Sequence, residues 1–552
     1  MASPREIIED IRKNTYGIGL STDAAAKSVI DSLKKSLNSA LERLSVDLYS
    51  KETHFLLELS QNADDNYYRS GVTPTLTITI TPKKIIVVNN ESGFTEANVR
   101  AICDVGNSTK SHAIGYIGEK GIGFKSVFRI SDKPQIFSNG FQFEFKRQDD
   151  RDQLGFVAPY WIEEIPPEVN LQQTNIILPL GESAKDELWK LDQIEHTLIL
   201  FLRQLKTVKI DNQVLNKFSQ IAGTDAEGKV AIASTTGTGS EVKQHDYKIV
   251  RQTLRVPEYI QEEKKSNVRE TELILAFKMK ADGTADATQE QKVYAFLPTR
   301  SYGFKFMIQG DFLVPANRED IHKDKLWNKW LRDRIAQVFL SAVSEFKRER
   351  NLSYYNDIPL VKEVKDLFFS TVVKEIHAGL KATACMLTES GNWRLPAEVL
   401  RPDEQIRELI SNDDLQQIIN KEYVHPQVTA KGSVLDSLGV KKFSIDEAIS
   451  CLGQAAWLSG KSDDWFVQLY LYLNSKSYYL AKVKHLRIIR LENARLASAS
   501  EMAIFFPLEQ GEYGFELSKF LQVVRKSLLS SKQHGTAVRE LLKKLGVQNT
   551  SA

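Results

Sequence analysis

With 552 residues, 42% of them hydrophobic and 26% charged, the chain has the composition of an ordinary globular protein with room for three or four domains. A net charge of +2 supplies no global field toward nucleic acid or anionic membrane, and no stretch approaches the roughly 18 consecutive apolar residues of a spanning helix. The opening "MASPREIIEDIRKN" lacks the apolar core of a signal peptide, and Cys103, Cys385 and Cys451 stand too far apart for a disulfide framework or zinc site, so buried thiols in a reducing intracellular compartment, cytoplasmic or nuclear, are expected.

In chain order, residues 23–49 read as a helix with apolar side chains at Val29, Leu33, Leu37, Leu41 and Leu44. A second helix follows in "FLLELSQNADDNYY", residues 55–68. The period then changes. Leu76, Ile78 and Ile80 alternate with threonines, Pro82, Lys83 and Lys84 make a turn, and 85–88 form a continuous apolar strand. Residues 93–131 are glycine-punctuated loop and helix, while "KPQIFSNGFQFEFKR" and "TNIILPL" are strand-like. A helix is expected near 186–204, before a closing strand pair in "LKTVKIDNQVL".

The Gly-, Ser- and Thr-rich stretch at 219–243 is expected to contain a loop, at a boundary or insertion. Beyond it, "YKIVRQTLRV", "ETELILAFKMK" and "KVYAFLPTRSYGFKFMIQGDFLV" make a β-rich part, and from about residue 323 the chain reads as mainly helical. Near the end "LTESGNWRLPAEVLRP" is loosely similar to "RLENARLASASEMAIFFP", and "LDSLGVKKFS" to "LLKKLGVQNTS". The sequence stops inside the second copy, as a piece of a longer chain would.

The helix at 55–68 carries an unusual polar face. At about 100° per residue, Glu58, Asn62 and Asp65 fall within roughly one 60° wedge, while Leu56, Leu59, Ala63 and Tyr67 share another. Taken alone, the polar wedge could simply face water. Three later segments point elsewhere. "IIVVNN" ends in the polar turn "NNESGF", with Gly93 placed for close backbone approach. "GNSTKS" supplies small hydroxyls and Lys110. "GYIGEKGIGFKSVFRI" spaces glycines at 115, 118, 121 and 123 before an apolar helix, where backbone N–H groups and the helix dipole suit phosphate. The last segment is not a P-loop, because Phe124 stands where the lysine should follow the second glycine.

In this order the segments resemble the GHKL nucleotide-binding fold of the ninety-kilodalton heat-shock chaperones, gyrase B, MutL and histidine kinases. "ELSQNADDN" is similar to its N box, "NNESGF" and "IGEKGIGFKS" to its two glycine boxes, and "TNIILPL" to the strand that closes the site. The wording of "GYIGEKGIGFKSVFRISD" and "FLPTRSYGFKFMIQGDFLVPANREDI" is nearest the sacsin and NO VEIN branch, over roughly residues 15–345. The resemblance implies Glu58 as the base that orients the attacking water and Asn62 as the amide oxygen on Mg²⁺. It places Asp65 just below the nucleotide, Gly118, Gly121 and Gly123 around the phosphates, and the Thr174 hydroxyl at adenine. Arg318 would reach the γ-phosphate from a second domain, and Lys110 could neutralise phosphate charge. One departure stands out. The family's Asp at the adenine amine is here Asn89, and its first glycine is Glu91. The residues themselves leave plainer readings open: Asn89 and Asn90 as turn formers, Lys120 and Lys125 as solvated or phosphate-bound, and Arg318 as a local cap or ion-pair partner.

The expected architecture is α+β: a GHKL (Bergerat) α/β sandwich over 1–215, a transducer-like β-rich α/β domain over 216–345, and a mainly helical region over 346–552. The implied function is ATP binding with slow Mg²⁺-dependent hydrolysis that drives lid closure. A protein client or partner is implied, and a homodimer is left open. The competing expectations are an ATP-gated scaffold with little hydrolysis, a MutL-like ATPase acting on nucleic acid, and a fold reused for other small-molecule chemistry. Near-neutral charge counts against nucleic acid.

Overall fold

The computed structural model describes residues 2–20, 23–47, 54–104, 123–147, 154–181, 196–213, 217–226, 229–236, 241–262, 265–315, 320–507 and 521–549. The chain divides into two compact units, residues 1–345 with 361–374, and residues 346–360 with 375–552. Among the described residues no helix is long and apolar enough to cross a membrane.

A 14-stranded mixed sheet organises the first unit. Its strands are β1 (Thr75–Ile80), β2 (Lys84–Asn89), β3 (Gln135–Ser138), β4 (Phe141–Glu144), β5 (Tyr160–Trp161), β6 (Thr174–Pro179) and β7 (Thr207–Asn212). They continue as β8 (Lys217–Ala226), β9 (Lys229–Thr236), β10 (Glu241–Arg255), β11 (Glu270–Met279), β12 (Lys292–Ala295), β13 (Leu297–Ser301) and β14 (Met307–Gly310). The spatial order is β13-β12-β14-β11-β10-β9-β8-β7-β1-β2-β6-β3-β4-β5. The boundary expected at 215/216 therefore falls between two hydrogen-bonded neighbours, with Thr207 of β7 opposite Ala222 of β8.

Period-2 patterning explains the centre of the sheet. Leu76, Ile78 and Ile80 of β1, and Ile85, Val87 and Asn89 of β2, are buried, and the residues between them are only half-buried. The run 85–88 is thus an alternating strand rather than a doubly buried one. Its hydrogen bonds pair Ile80 with Ile85 and Leu76 with Asn89 in one antiparallel hairpin. On the other side of β2, Asn89 lies opposite Thr174 of β6. Between β3 and β4, Asn139 and Gly140 both have positive φ, 46° and 82°, as a two-residue type I′ hairpin turn demands.

Within the stretch 219–243 the described residues are strand, in β8, β9 and the start of β10, while 227–228 and 237–240, where the expected loop falls, lie outside the described residues. Val230 and Ile232, two residues apart and both buried, carry an alternation that the surrounding Gly, Ser and Thr obscured. Of the helix expected near 186–204, residues 182–195 lie outside the described residues, and His196–Ile199 is a single 3-10 turn.

Four helices precede the middle of this unit: α1 (Pro4–Asp10), α2 (Ala24–Asp47), α3 (His54–Asp64) and α4 (Glu96–Ile102). Leu37 of α2 packs on the core, whereas Val29 and Leu33 are exposed. Leu41 and Leu44 lie outside the described side chains. A 3-10 helix, Gly123–Arg129, packs beside α3 through the core that holds Phe55, Leu59, Val127 and Phe128.

In the second unit, short helices alternate with strands of two or three residues. Two segments there share one hydrogen-bonding scheme. Met386 pairs with Arg394 in one hairpin, and Ile489 with Ala497 in the other. The tips turn through positive φ at Gly391 (82°) and Ala494 (64°). A buried tyrosine clasps each hairpin. Tyr355 donates to Cys385 O at 2.6 Å and accepts from Leu387 N–H at 3.3 Å. Tyr470 donates to Ile488 O at 2.8 Å and accepts from Arg490 N–H at 3.2 Å. The matching helices, Gly432–Leu438 and Gly535–Leu545, both end on left-handed glycines, Gly439 and Gly546.

Candidate functional site

Helix α3 is buried nearly all round. Phe55, Leu56, Leu59 and Ala63 enter the apolar core, and Glu58, Ser60, Gln61, Asp64 and Asp65 are buried as well. A wedge that merely faces water is therefore ruled out for Glu58, which is 8% exposed, and Asn62 beside it is half-buried. Buried polar groups at such a density require partners. Tyr67 departs from its expected apolar wedge: the helix stops at Asp64, and Tyr67, beyond it, is 72% exposed.

The end of α3 is fixed by a carboxylate the sequence did not single out. Asp64 accepts backbone N–H bonds from Arg203 at 2.8 Å, Gln204 at 2.7 Å and Leu205 at 2.8 Å. These residues lead into β7, so Asp64 joins helix to sheet, and its neighbour Asp65 remains the candidate nucleotide-side residue.

At the end of β2 the polar turn forms a second cluster. Tyr68, just past α3, donates its hydroxyl proton to Ala63 O at 2.7 Å and has the same oxygen 2.9 Å from the Asn89 side-chain amide. Burial pushes the Tyr68 hydroxyl well above its ordinary range. Thr174 Oγ1 donates to Glu91 Oε1 at 2.7 Å and lies 2.6 Å from Ser138 Oγ. Ser138 Oγ in turn accepts from Phe94 N–H at 2.8 Å. Because the Thr174 proton goes to Glu91, Ser138 donates to Thr174, giving a one-way chain from Phe94 to the carboxylate. Asn90 does act as a turn former: its Oδ1 accepts from Thr75 N–H at 2.8 Å and its Nδ2 donates to Thr73 O at 2.9 Å.

Gly93 has φ +96°, and a Cβ there would meet Asn139 Cβ at 2.7 Å. The hairpin turn thus lies directly beneath the first glycine box, and Asn139 Nδ2 holds Phe94 O at 3.0 Å. Glycine is required twice over, by conformation and by space.

The structure brings Asn89, Gly93 and Thr174 together, with Glu58, Asn62 and Asp65 on or next to α3. Gly123 opens the 3-10 helix. Lys110, Gly118, Gly121 and Lys120, together with Arg318, lie outside the described residues. Lys125 is corrected: it is neither solvated nor on a phosphate. Its buried ammonium donates to Ile102 O and Phe156 O, both at 2.7 Å, and lies 4.6 Å from the centre of the Phe145 ring. Desolvation pushes its pKa down to about 8. All three cysteines are buried and free, and burial pushes the neighbouring Cys103 thiol up to about 12. Sequence reasoning missed Tyr68, Asp64, Glu91 as a hydrogen-bonding side chain, and Ser138. Only the Asn-Gly turn next to Ser138 gave a local signal.

Among the described residues no group of three or more His, Cys, Asp or Glu side chains is arranged to hold a metal. An all-protein metal cage is therefore a poor fit there. A single amide oxygen at Asn62, four residues from the Glu58 carboxylate, suits Mg²⁺, which keeps several waters and takes further oxygens from its substrate.

Comparisons with known proteins bear on the first quarter of the chain and on its whole length. The Sacsin domain family matches residues 35–145. The chain is also 31% identical over 617 residues to Protein NO VEIN of Arabidopsis thaliana, covering 99% of this chain and 22% of that protein. Both support the sacsin and NO VEIN branch. The chain spans only about a fifth (22%) of the length of that relative. A solved N-terminal domain of a DNA repair protein is similar with a TM-score of 0.32 and 11% identity, over 56% of this chain and 98% of that one.

Proposed function

We propose that the first unit binds ATP with Mg²⁺ in a GHKL-type site and hydrolyses it slowly. The observation that carries this reading is the burial of Glu58 on α3, the helix that also holds Asn62 and leads directly into Asp65. A base that orients water needs a carboxylate held in such a sheltered setting. The Asn89, Glu91 and Thr174 cluster at the end of β2 offers hydrogen-bonding groups for a base.

In this reading Glu58 accepts a hydrogen bond from the attacking water and takes up its proton as the oxygen bonds to phosphorus. Asn62 Oδ1 would hold Mg²⁺, which supplies charge neutralisation of the phosphate oxygens. Lys110, Gly118, Gly121 and Gly123 would surround the phosphates, and Arg318 would report the γ-phosphate. The useful output would be a conformational switch acting on a protein client in the cytoplasm or nucleus.

Single-turnover assays with labelled ATP test the proposal. Wild-type protein should convert bound ATP to ADP, and Glu58→Ala should keep binding while turnover falls at least about tenfold. Intact ATP after hours with wild-type protein points instead to a gated scaffold, and unchanged turnover in Glu58→Ala removes Glu58 from the mechanism.

A further inference from the structure

His196 and His245 come from separate parts of the chain and lie face to face, with ring centres 3.6 Å apart and planes 11° from parallel. His196 opens the 3-10 turn His196–Ile199, and His245 stands in β10. Each ring has a hydroxyl beside it. His196 Nε2 lies 2.7 Å from the Tyr247 hydroxyl, and His245 Nε2 lies 3.0 Å from Ser234 Oγ on β9. After the turn, the apolar run from Leu198 to Leu202 is buried. The chain then gives the N–H groups of Arg203, Gln204 and Leu205 to Asp64, at the end of α3. The histidine pair therefore docks on the sheet the same stretch that seats α3.

The surroundings disfavour a proton on this pair. Burial above all, then Lys278 on β11 and Lys243 on its own strand, push the His245 pKa down, and Asp246 opposes them. Lys278 is itself paired with Asp286 at 2.8 Å. Two imidazolium rings stacked at this separation would also repel each other.

We propose that the stacked pair is an acid-sensitive latch, holding the turn and the stretch after it on β10 near neutral pH and releasing them in mild acid; it stands apart from the nucleotide reading. Undocking frees the rings to take up protons at the ordinary histidine value of 6.5, whereas the docked pair takes up fewer. The open form thus binds more protons than the closed one. Opening grows as the pH falls through that value, roughly tenfold per pH unit for each extra proton.

Hydrogen–deuterium exchange of the full chain at pH 7.5 and pH 5.5, corrected for intrinsic exchange rates, reads the opening of 197–205. In wild type the opening should be at least about tenfold greater at pH 5.5. His245→Phe keeps an aromatic ring in the stack without a titrating group, and should lose most of that difference. Equal protection at the two pH values in wild type overturns the latch. So does a pH effect that persists in His245→Phe, the result expected if protonation of Asp64 opened the stretch instead. Should His245→Phe fail to fold, His196→Phe removes the other titrating ring and should flatten the profile in the same way. A profile as steep as that of wild type then overturns the proposal.

Discussion

Asp64 Oδ1 accepts the backbone N–H of Leu205 at 2.8 Å, joining the last residue of α3 to the chain entering β7. The same carboxylate takes two more backbone N–H groups, at 203 and 204. Hydrogen bonds to a charged acceptor are stronger than neutral ones, and buried donors left without a partner are costly. Asp64→Ala should lower the unfolding free energy by roughly 3 kcal/mol, read as a fall in the urea midpoint. An unchanged midpoint would show that the joint is redundant.

Lys125 gives a pH signature. Its folded pKa is pushed down to about 8 from an ordinary 10.5, so between these values the unfolded chain binds more protons than the folded one. Stability from this group therefore rises with pH across that window. Cys103 opposes it at higher pH, because its thiol, pushed up to about 12 from 9.0, keeps its proton only in the folded chain. From pH 7 to 9 the lysine effect dominates. The stability of wild type relative to Lys125→Met should improve by about 1 kcal/mol over that range. A constant difference between the two proteins would contradict the assignment.

Ala494 adopts φ +64° at the hairpin tip where the matching segment has Gly391 at φ +82°. A left-handed conformation costs an L-residue about 1–2 kcal/mol, against about 0.4–1 kcal/mol of extra unfolded-state freedom for glycine. Ala494→Gly should therefore raise stability by about 0.5–1 kcal/mol in urea unfolding. A loss of stability would mean that the alanine side chain is held by packing.

Parts of this arrangement could be read from the sequence because they are local. The β1–β2 hairpin follows from alternation and a Pro-Lys-Lys turn, and the Asn139-Gly140 pair carries its own backbone requirement. The polar face of α3 was visible in its helical spacing. Which of the adjacent carboxylates at 64 and 65 would bind backbone depended on where the helix stops and on a loop near 204, neither of which is local information. Glu91 could not be joined to Thr174 before the pairing of β2 with β6 was known. Lys125 read as a surface residue because nothing in its neighbours announces the two carbonyls, at 102 and 156, that hold it. At 219–243, turn-forming residues hid a strand alternation that only pairing across β8, β9 and β10 makes plain.

Thermal unfolding of the purified chain with millimolar Mg-ATP, and separately with Mg-GTP, tests the nucleotide site most directly. A ligand that binds only the folded state stabilises it by about 2.7 kcal/mol at a hundredfold excess over its Kd, a shift of a few degrees. The account predicts such a rise with Mg-ATP and little or none with Mg-GTP. An unfolding temperature that stays the same with Mg-ATP would contradict it.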